Sequence, residues 1–416
     1  MKQEKSKGMT RREFARASAV AGLAAVGVAS SSRTARAANA DTLKVGLLGC
    51  GSRGSGALRD CLTGNKNVRV IALADLFDYK VKDTRDSIEK AFADQNGIDD
   101  GHCFVGLDAY KQILETDIDI LIEGTLPYSR PKHIVAAVEA KKHIFSEKPF
   151  ASEPAGVRMI IDACRKHKEQ GFSFVGGTQR RHNKAYIDTI KKIHDGAIGD
   201  VAAMRVYWCG GLPFTRDRNP GESDFSYRIR NWYAYCWVCG DNIVEQHIHN
   251  LDVANWVLDA HPTQVFASGG RIWKPRNEKY GDLWDHFSCD YTYPNDVHVF
   301  SFSRHWDGCA GDVSEWAYGS KGKSKCCDMG DGGGTRDYVQ EHIDLVKSIT
   351  GEGPYYHEGE RIAESTLTAI MGRMSAYTGK VVTWDEAMKA DLSLVPEEWS
   401  FEKEYPVGPI PCPVQV

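Results

Sequence analysis

Three short clusters carry residue types able to move a hydride and a proton together. The first is Gly49-Cys50-Gly51-Ser52-Arg53-Gly54, directly after the apolar run Leu43–Leu48. A G-x-G-x-x-G placed between a strand and a helix is the context in which such a turn binds a dinucleotide. Gly49 makes the turn, Gly51 lets the backbone approach a pyrophosphate, and Gly54 lets helix and strand pack closely. Ser52 and Arg53 stand at the helix start, where unpaired N–H groups meet phosphate charge. Asp75 ends the next apolar run, 21 residues after Gly54. An acid there accepts hydrogen bonds from both ribose hydroxyls and repels a 2′-phosphate, so NAD is expected over NADP. The bland alternative for Asp75 is a solvated strand end.

The other clusters are Glu147-Lys148-Pro149 and Glu245-Gln246-His247-Ile248-His249. Oxidising a secondary alcohol needs a base within hydrogen-bond reach of the hydroxyl. His249 is of the residue type that accepts a proton near neutrality. Lys148 can polarise the same oxygen. Glu245 would orient the histidine or bind a hydroxyl, since a four-residue spacing puts both on one face of a helical turn. His247 and His249, with Glu245 and His286, also admit a metal reading; histidines in an enzyme are more often simply hydrogen-bonded, and no metal is expected. Arg180, Arg181 and Tyr186 follow a strand end and suit a hydroxyl-rich or carboxylated ligand, or else a solvated loop. Asn231-Trp232-Tyr233 and Tyr235-x-Trp237 form an aromatic cluster that reads first as core or dimer interface, then as a carbohydrate pocket.

The elements that must position these groups alternate. Leu43–Leu48 and Val68–Ala74 predict strands, with a helix from about Arg53 and another over Tyr79–Phe92. Ile118–Ile122, Ile134–Ala140 and His143–Phe145 continue a βαβ pattern, the signature of a parallel sheet covered on both faces. Pro154–Lys168 predicts a connecting helix and Phe172–Val175 a strand. From Val201 the chain is β-rich: Val201–Trp208, Thr263–Ile272, Ser288–Tyr293, Val297–Ser303 and Val313–Tyr318 predict a broad, partly antiparallel sheet. Tyr338–Thr350 and Glu360–Tyr377 predict helices. The expected fold is α/β: a Rossmann dinucleotide-binding domain over 41–165, then an α+β domain over 166–416 with a large, mostly antiparallel open sheet, whose last helices pack back on the first domain.

Glu147-Lys148-Pro149 resembles the E-K-P hallmark of the glucose-fructose oxidoreductase/inositol dehydrogenase/rhizopine catabolism (Gfo/Idh/MocA) family. His249-x-x-Asp252-x-x-x-Trp256 resembles that family's H-x-x-D-x-x-x-W stretch, and Thr178-Gln179-Arg180-Arg181 falls where members often show polar residues. The family usually has D-x-G-x-H before this point; Glu245 and His247 stand here in place of Asp and Gly, which puts direct transfer of any member's substrate in doubt. The resemblance implies that Glu147 and Lys148 face the cofactor, that Lys148, His249 and Glu245 act on a sugar or cyclitol alcohol, and that subunits pair as a homo-oligomer. A redox-neutral glycosidase, working by transient oxidation, elimination and re-reduction, is the alternative. The Y-P-T-H-G segment of the NAD-dependent N-acetylgalactosaminidase branch is not evident.

The 416 residues begin with Thr10-Arg11-Arg12-Glu13-Phe14, an apolar run over Ala17–Ala29 and Thr34-Ala35-Arg36-Ala37. This order resembles a twin-arginine signal peptide and implies a periplasmic protein; the run is short and Ala/Gly-rich for a transmembrane anchor. The chain carries a formal −4, residues 1–37 alone +6, and the remainder therefore −10. Such an acidic chain has no electrostatic footprint for nucleic acid. The 12 cysteines show no metal framework; Cys236-x-x-Cys239 is unpaired with any second such motif.

Overall fold

In the computed structural model, which describes residues 42–413, the first four apolar runs stack edge to edge because each is buried on both faces. Strands β1 (Leu43–Leu48), β2 (Val68–Asp75), β3 (Cys103–Val105), β4 (Ile120–Glu123), β5 (His143–Ser146) and β6 (Phe174–Gly176) form one sheet in the order β3-β2-β1-β4-β5-β6. Every pairing in it is parallel. A parallel sheet must hide both faces under helices, so its strands read as continuous apolar runs. The helices Ser52–Gly64, Asp78–Ala91, Ala109–Glu115, Arg130–Glu139 and Pro154–Glu169 supply the crossovers. Because β1 is flanked by β2 and β4, the chain leaves its carboxyl end in opposite directions on either side, which opens a crevice there. The expected twin-arginine leader lies outside the described residues. The sixth strand lies beyond the domain boundary expected near residue 165.

The second sheet contains β7 (Val201–Gly210), β8 (Gln264–Gly270), β9 (His286–Tyr293), β10 (Val297–His305), β11 (Asp312–Gly319), β12 (Gly322–Ser324) and β13 (Val382–Thr383), in the order β12-β11-β7-β10-β9-β8-β13. Only β10 and β7 run parallel; the rest are antiparallel. The period of two separates its faces. Val265, Ala267, Cys289, Tyr291 and Val299 are buried against helices. Phe266 and Phe300, level with one another across Asp290 of β9, and Phe302 two residues further along β10, point the other way and are exposed.

One hydrophobic core runs through both sheets, from Leu48 and Ile144 to Tyr291 and Val299. The helix Gly359–Thr378 sits at its centre. Gly372 is required there, because a Cβ would lie 2.1 Å from the Tyr291 hydroxyl. The guanidinium of Arg373, on the same helix, donates to the carbonyls of Ser152 and Gly240, both at 2.8 Å, tying the two sheets' loops together. The helix Asp337–Thr350 returns to the first domain: Val339 and Ile343 press on Gly64, and His342 lies over Phe145. No helix among the described residues is long and apolar enough to cross a membrane.

Candidate active site

The glycine turn follows from close backbone packing at the end of β1. Gly49 has φ +96°, and a Cβ on it would meet the carbonyl carbon of Gly124 at 2.6 Å. A Cβ on Gly54 would meet the Gly49 oxygen at 1.9 Å. Gly51 differs: nothing lies within 4 Å of its absent Cβ, so that side of the turn is open cradle. No side chain caps the helix Ser52–Gly64 at Gly51, which leaves its N-terminus to an anionic ligand. Asp75 accepts from the Cys50 N–H at 2.7 Å and the Phe77 N–H at 2.9 Å. Each carboxylate oxygen keeps a lone pair for a ribose hydroxyl. These residues fit a dinucleotide.

Glu147 is buried behind this turn, 2.8 Å from Arg53 Nε, with Gly177 leaving room for its carboxylate. The Arg53 guanidinium lies over the Tyr338 ring, 4.7 Å from its centre. Arg53 thus joins the cofactor turn to the Glu147 backbone that carries Lys148; the Lys148–Pro149 peptide is cis.

Lys148, Glu245 and His249 line the same cleft as Gly49, Gly51 and Asp75, a cavity of about 450 Å³. Lys148 Nζ donates to the Glu245 carbonyl oxygen at 2.6 Å and to Glu245 Oε1 at 3.1 Å. The Tyr233 hydroxyl donates to Glu245 Oε2. Glu245 therefore does not orient His249 as expected: its oxygens are taken by Lys148 and Tyr233. The two residues also belong to successive helices, Asn242–Glu245 and Ile248–Leu258. His249 stacks on Trp208, with ring centres 5.8 Å apart, and its Nδ1 is buried without a partner. Burial first, then the positive charges of Lys148, Arg180 and Arg53, hold its pKa well below the ordinary 6.5. The near-neutral titration expected for this histidine is thus replaced by a ring kept neutral.

Arg180, Arg181 and Tyr186 are not on the cleft wall. Arg180 pairs with Glu315 at 2.6 Å, and the Tyr186 hydroxyl donates to the same carboxylate at 2.9 Å. Arg181 makes a forked contact with Asp252, at 2.8 and 3.1 Å, and lies over Trp256. Their substrate role gives way to buried ion pairs because β11 and the helix Ile248–Leu258 present acids to them. Asp252 and Trp256 of the motif are used here, in packing. His247 lies against Ser301 at 2.7 Å and is pushed by burial to about 3; His286 contacts Asp285. Among the described residues, no three His, Cys, Asp or Glu side chains gather to hold a metal. Cys50, Cys61, Cys164, Cys236, Cys239, Cys289 and Cys326 are buried as free thiols.

The motifs did not reveal several wall residues: Trp208, Phe214, Arg216, Gln246, Tyr338 and Trp399. Trp232 and Tyr233, read first as core or interface, also face the cleft, whereas Tyr235 and Trp237 pack in a core. Only tertiary pairing distinguishes these two halves of the aromatic cluster.

Residues 43–174 match the family model described as an oxidoreductase family with an NAD-binding Rossmann fold, and residues 187–325 match the GFO/IDH/MocA C-terminal domain. The chain belongs to the Gfo/Idh/MocA oxidoreductase family. Among relatives of this family member, inositol 2-dehydrogenase of Acidothermus cellulolyticus is 27% identical over 246 residues, 59% of this chain and 61% of that one. The scyllo-inositol 2-dehydrogenase (NAD(+)) of Bacillus subtilis is 30% identical over 176 residues, 42% of this chain and 46% of that one. The match thus spans about half to three-fifths of these relatives' length. The fold is shared with scyllo-inositol dehydrogenase from Lactobacillus casei with bound NAD(H) and scyllo-inositol, at TM-score 0.65, 16% identity, 82% of this chain and 99% of that one. It is shared also with aldose-aldose oxidoreductase from Caulobacter crescentus, at TM-score 0.62 and 18% identity, over 82% of this chain and 99% of that one.

Proposed function

We propose that this family member oxidises a secondary alcohol of a cyclitol or cyclic sugar, using NAD held in the Gly49–Gly54 turn. The observation that carries this reading is the convergence of Lys148, Glu245 and His249 on the cleft that also holds Gly51 and Asp75. NAD, when bound, supplies the hydride acceptor. An ammonium has three N–H donors; Lys148 spends two on Glu245, and the third is available to the substrate oxygen. His249, kept neutral, takes the hydroxyl proton, and Lys148 stabilises the charge that develops on the oxygen. The carbon loses a hydride, the oxygen loses a proton, and a ketone results. In the reverse direction His249 returns the proton. The inositol-acting relatives and the mixed lining of aromatic rings with Glu245 and Gln246 support a polyol as substrate.

We propose further that the protein is exported by the twin-arginine route with its cofactor already bound, supported by the pattern over residues 10–37. Free dinucleotide is scarce outside the cytoplasm, so a retained cofactor, reoxidised by a second substrate, fits that location. Phe214, Arg216 and Trp399 line the cleft, and the Trp399 ring lies 4.8 Å from that of Tyr128. Pairing of subunits through the exposed Phe266, Phe300 and Phe302 face completes the proposal. The test is to pass purified protein through gel filtration, then add myo-inositol, scyllo-inositol and glucose while following reduced-nicotinamide absorbance. Protein-bound nicotinamide that is reduced by a polyol supports the reading; loss of all nucleotide and no reduction by any polyol, even with NAD added, contradicts it.

A further inference from the structure

Beside Glu245, on the same wall, Gln246 is held by a buried imidazole. His305 Nε2 lies 2.7 Å from Gln246 Oε1. His305 is 1% exposed, and its Nδ1 is buried with no hydrogen-bond partner. A proton on Nδ1 would be an orphaned buried donor, the rarer and costlier kind of unsatisfied group. A proton on Nε2 has an acceptor waiting. Burial, reinforced by the Lys274 cation and only partly opposed by Asp285, keeps the ring neutral, so one proton must be placed and Nε2 is where it is satisfied. The Tyr233 ring packs on the imidazole, with ring centres 5.7 Å apart, fixing its orientation, and the backbone N–H of His305 donates to the Asp285 carbonyl at 2.8 Å.

A side-chain amide has one acceptor end and one donor end. With Oε1 committed to His305, the end left for the cleft is the NH2. We infer that Gln246 reads the substrate: its NH2, aimed by His305, donates to an acceptor oxygen on the polyol ring at a position other than the one oxidised. The inference deepens the polyol reading proposed above and rests on it. His249 differs from His305 in that no ring hydrogen bond to a neighbouring side chain is found for it among the described residues, its Nδ1 being buried without a partner, which leaves it available to the reacting oxygen. Gln246 is a specificity residue, and His305 its positioning residue.

Two measurements test this. In the holoenzyme, ¹⁵N chemical shifts of the His305 imidazole are expected to show the Nε2–H tautomer. The Nδ1–H tautomer would reverse the amide, turn Oε1 to the cleft and overturn the assignment. Second, wild type and Gln246→Met are titrated with myo-inositol and its monodeoxy isomers, read by the fluorescence of the cleft tryptophans. In the wild type, one deoxy isomer is expected to bind about tenfold weaker than myo-inositol. Gln246→Met should erase that one ratio and keep the others, with KM raised and kcat little changed. Deoxy ratios identical in both proteins would overturn the inference. If the ratio is erased as expected but no polyol reduces the nicotinamide, Gln246 stands as a reader and the redox proposal alone fails.

Discussion

Lys148 Nζ and Glu245 are joined twice, to the carbonyl at 2.6 Å and to the carboxylate at 3.1 Å, although 97 residues separate them in the chain. The contact welds the segment just after β5 to the short helix Asn242–Glu245, which precedes the helix that carries His249. Each side chain is 12% exposed, so solvent screens the pair only weakly.

This pair sets the first expectation. Lys148→Met keeps most of the length and removes every donor; kcat should fall on the order of 10²–10⁴-fold, the range for a group acting on a proton in flight. Glu245→Gln should cost less, about 10–100-fold, because the backbone carbonyl still holds Lys148. Steady-state kinetics on a polyol with NAD affinity measured in parallel checks both. Unchanged kcat in Lys148→Met removes it from the chemistry.

The second expectation concerns pH. A free histidine would lose its basic form as pH falls through 6.5. His249 has its pKa held well below that by burial and neighbouring cations, so the neutral form persists into acid. The acid limb of kcat/KM should therefore fall below pH 6.5, with the rate still level where an ordinary histidine would be half protonated. A limb with its midpoint at the ordinary histidine value would contradict the buried setting.

For Asp75 the structure adds a second cost to the ribose contacts. Asp75→Ala would lose hydrogen bonds to NAD and also release the Cys50 and Phe77 N–H groups. NAD affinity should drop by about 2–3 kcal/mol, and discrimination against NADP should relax. Calorimetric titration with both nucleotides decides it; unchanged affinity and selectivity would remove Asp75 from the site.

Arg181 separates a substrate contact from a structural one. It is paired with Asp252, whose side chain is 1% exposed, so Arg181→Ala leaves a buried carboxylate short of one partner. The loss of stability should be about 3–5 kcal/mol, reduced to the extent that Arg361, also on Asp252, compensates. Denaturant unfolding should show it, with KM little changed in the fraction that remains folded. A raised KM at wild-type stability would return Arg181 to the substrate.

These outcomes also mark what the sequence made legible. The strand, glycine turn and Asp75 could be read because a dinucleotide turn is local, spanning few residues with rigid steric needs. The two sheets could be read because buried strands are apolar at a fixed period. β3, three residues long, has no room to show a period. For Arg180 and Arg181, a strand end names the neighbourhood of a side chain but not the acids, Glu315 and Asp252, brought there by distant elements. Glu245 and His249 line one cleft from two successive helices rather than from one turn, and the partners of Glu245 come from Lys148 and Tyr233. Gln246 carried no motif at all; its role is visible only once His305, 59 residues on, is beside it.

The central claim is a hydride transfer from a polyol carbon to nicotinamide in the Lys148–Glu245–His249 cleft. The most direct measurement is to mix the holoenzyme with myo-inositol deuterated at every ring carbon, quench after one turnover, and weigh the released dinucleotide by mass spectrometry. Transfer predicts reduced nicotinamide carrying one deuterium from the ring, absent in Lys148→Met. Formation of product with no deuterium in the dinucleotide would contradict the account.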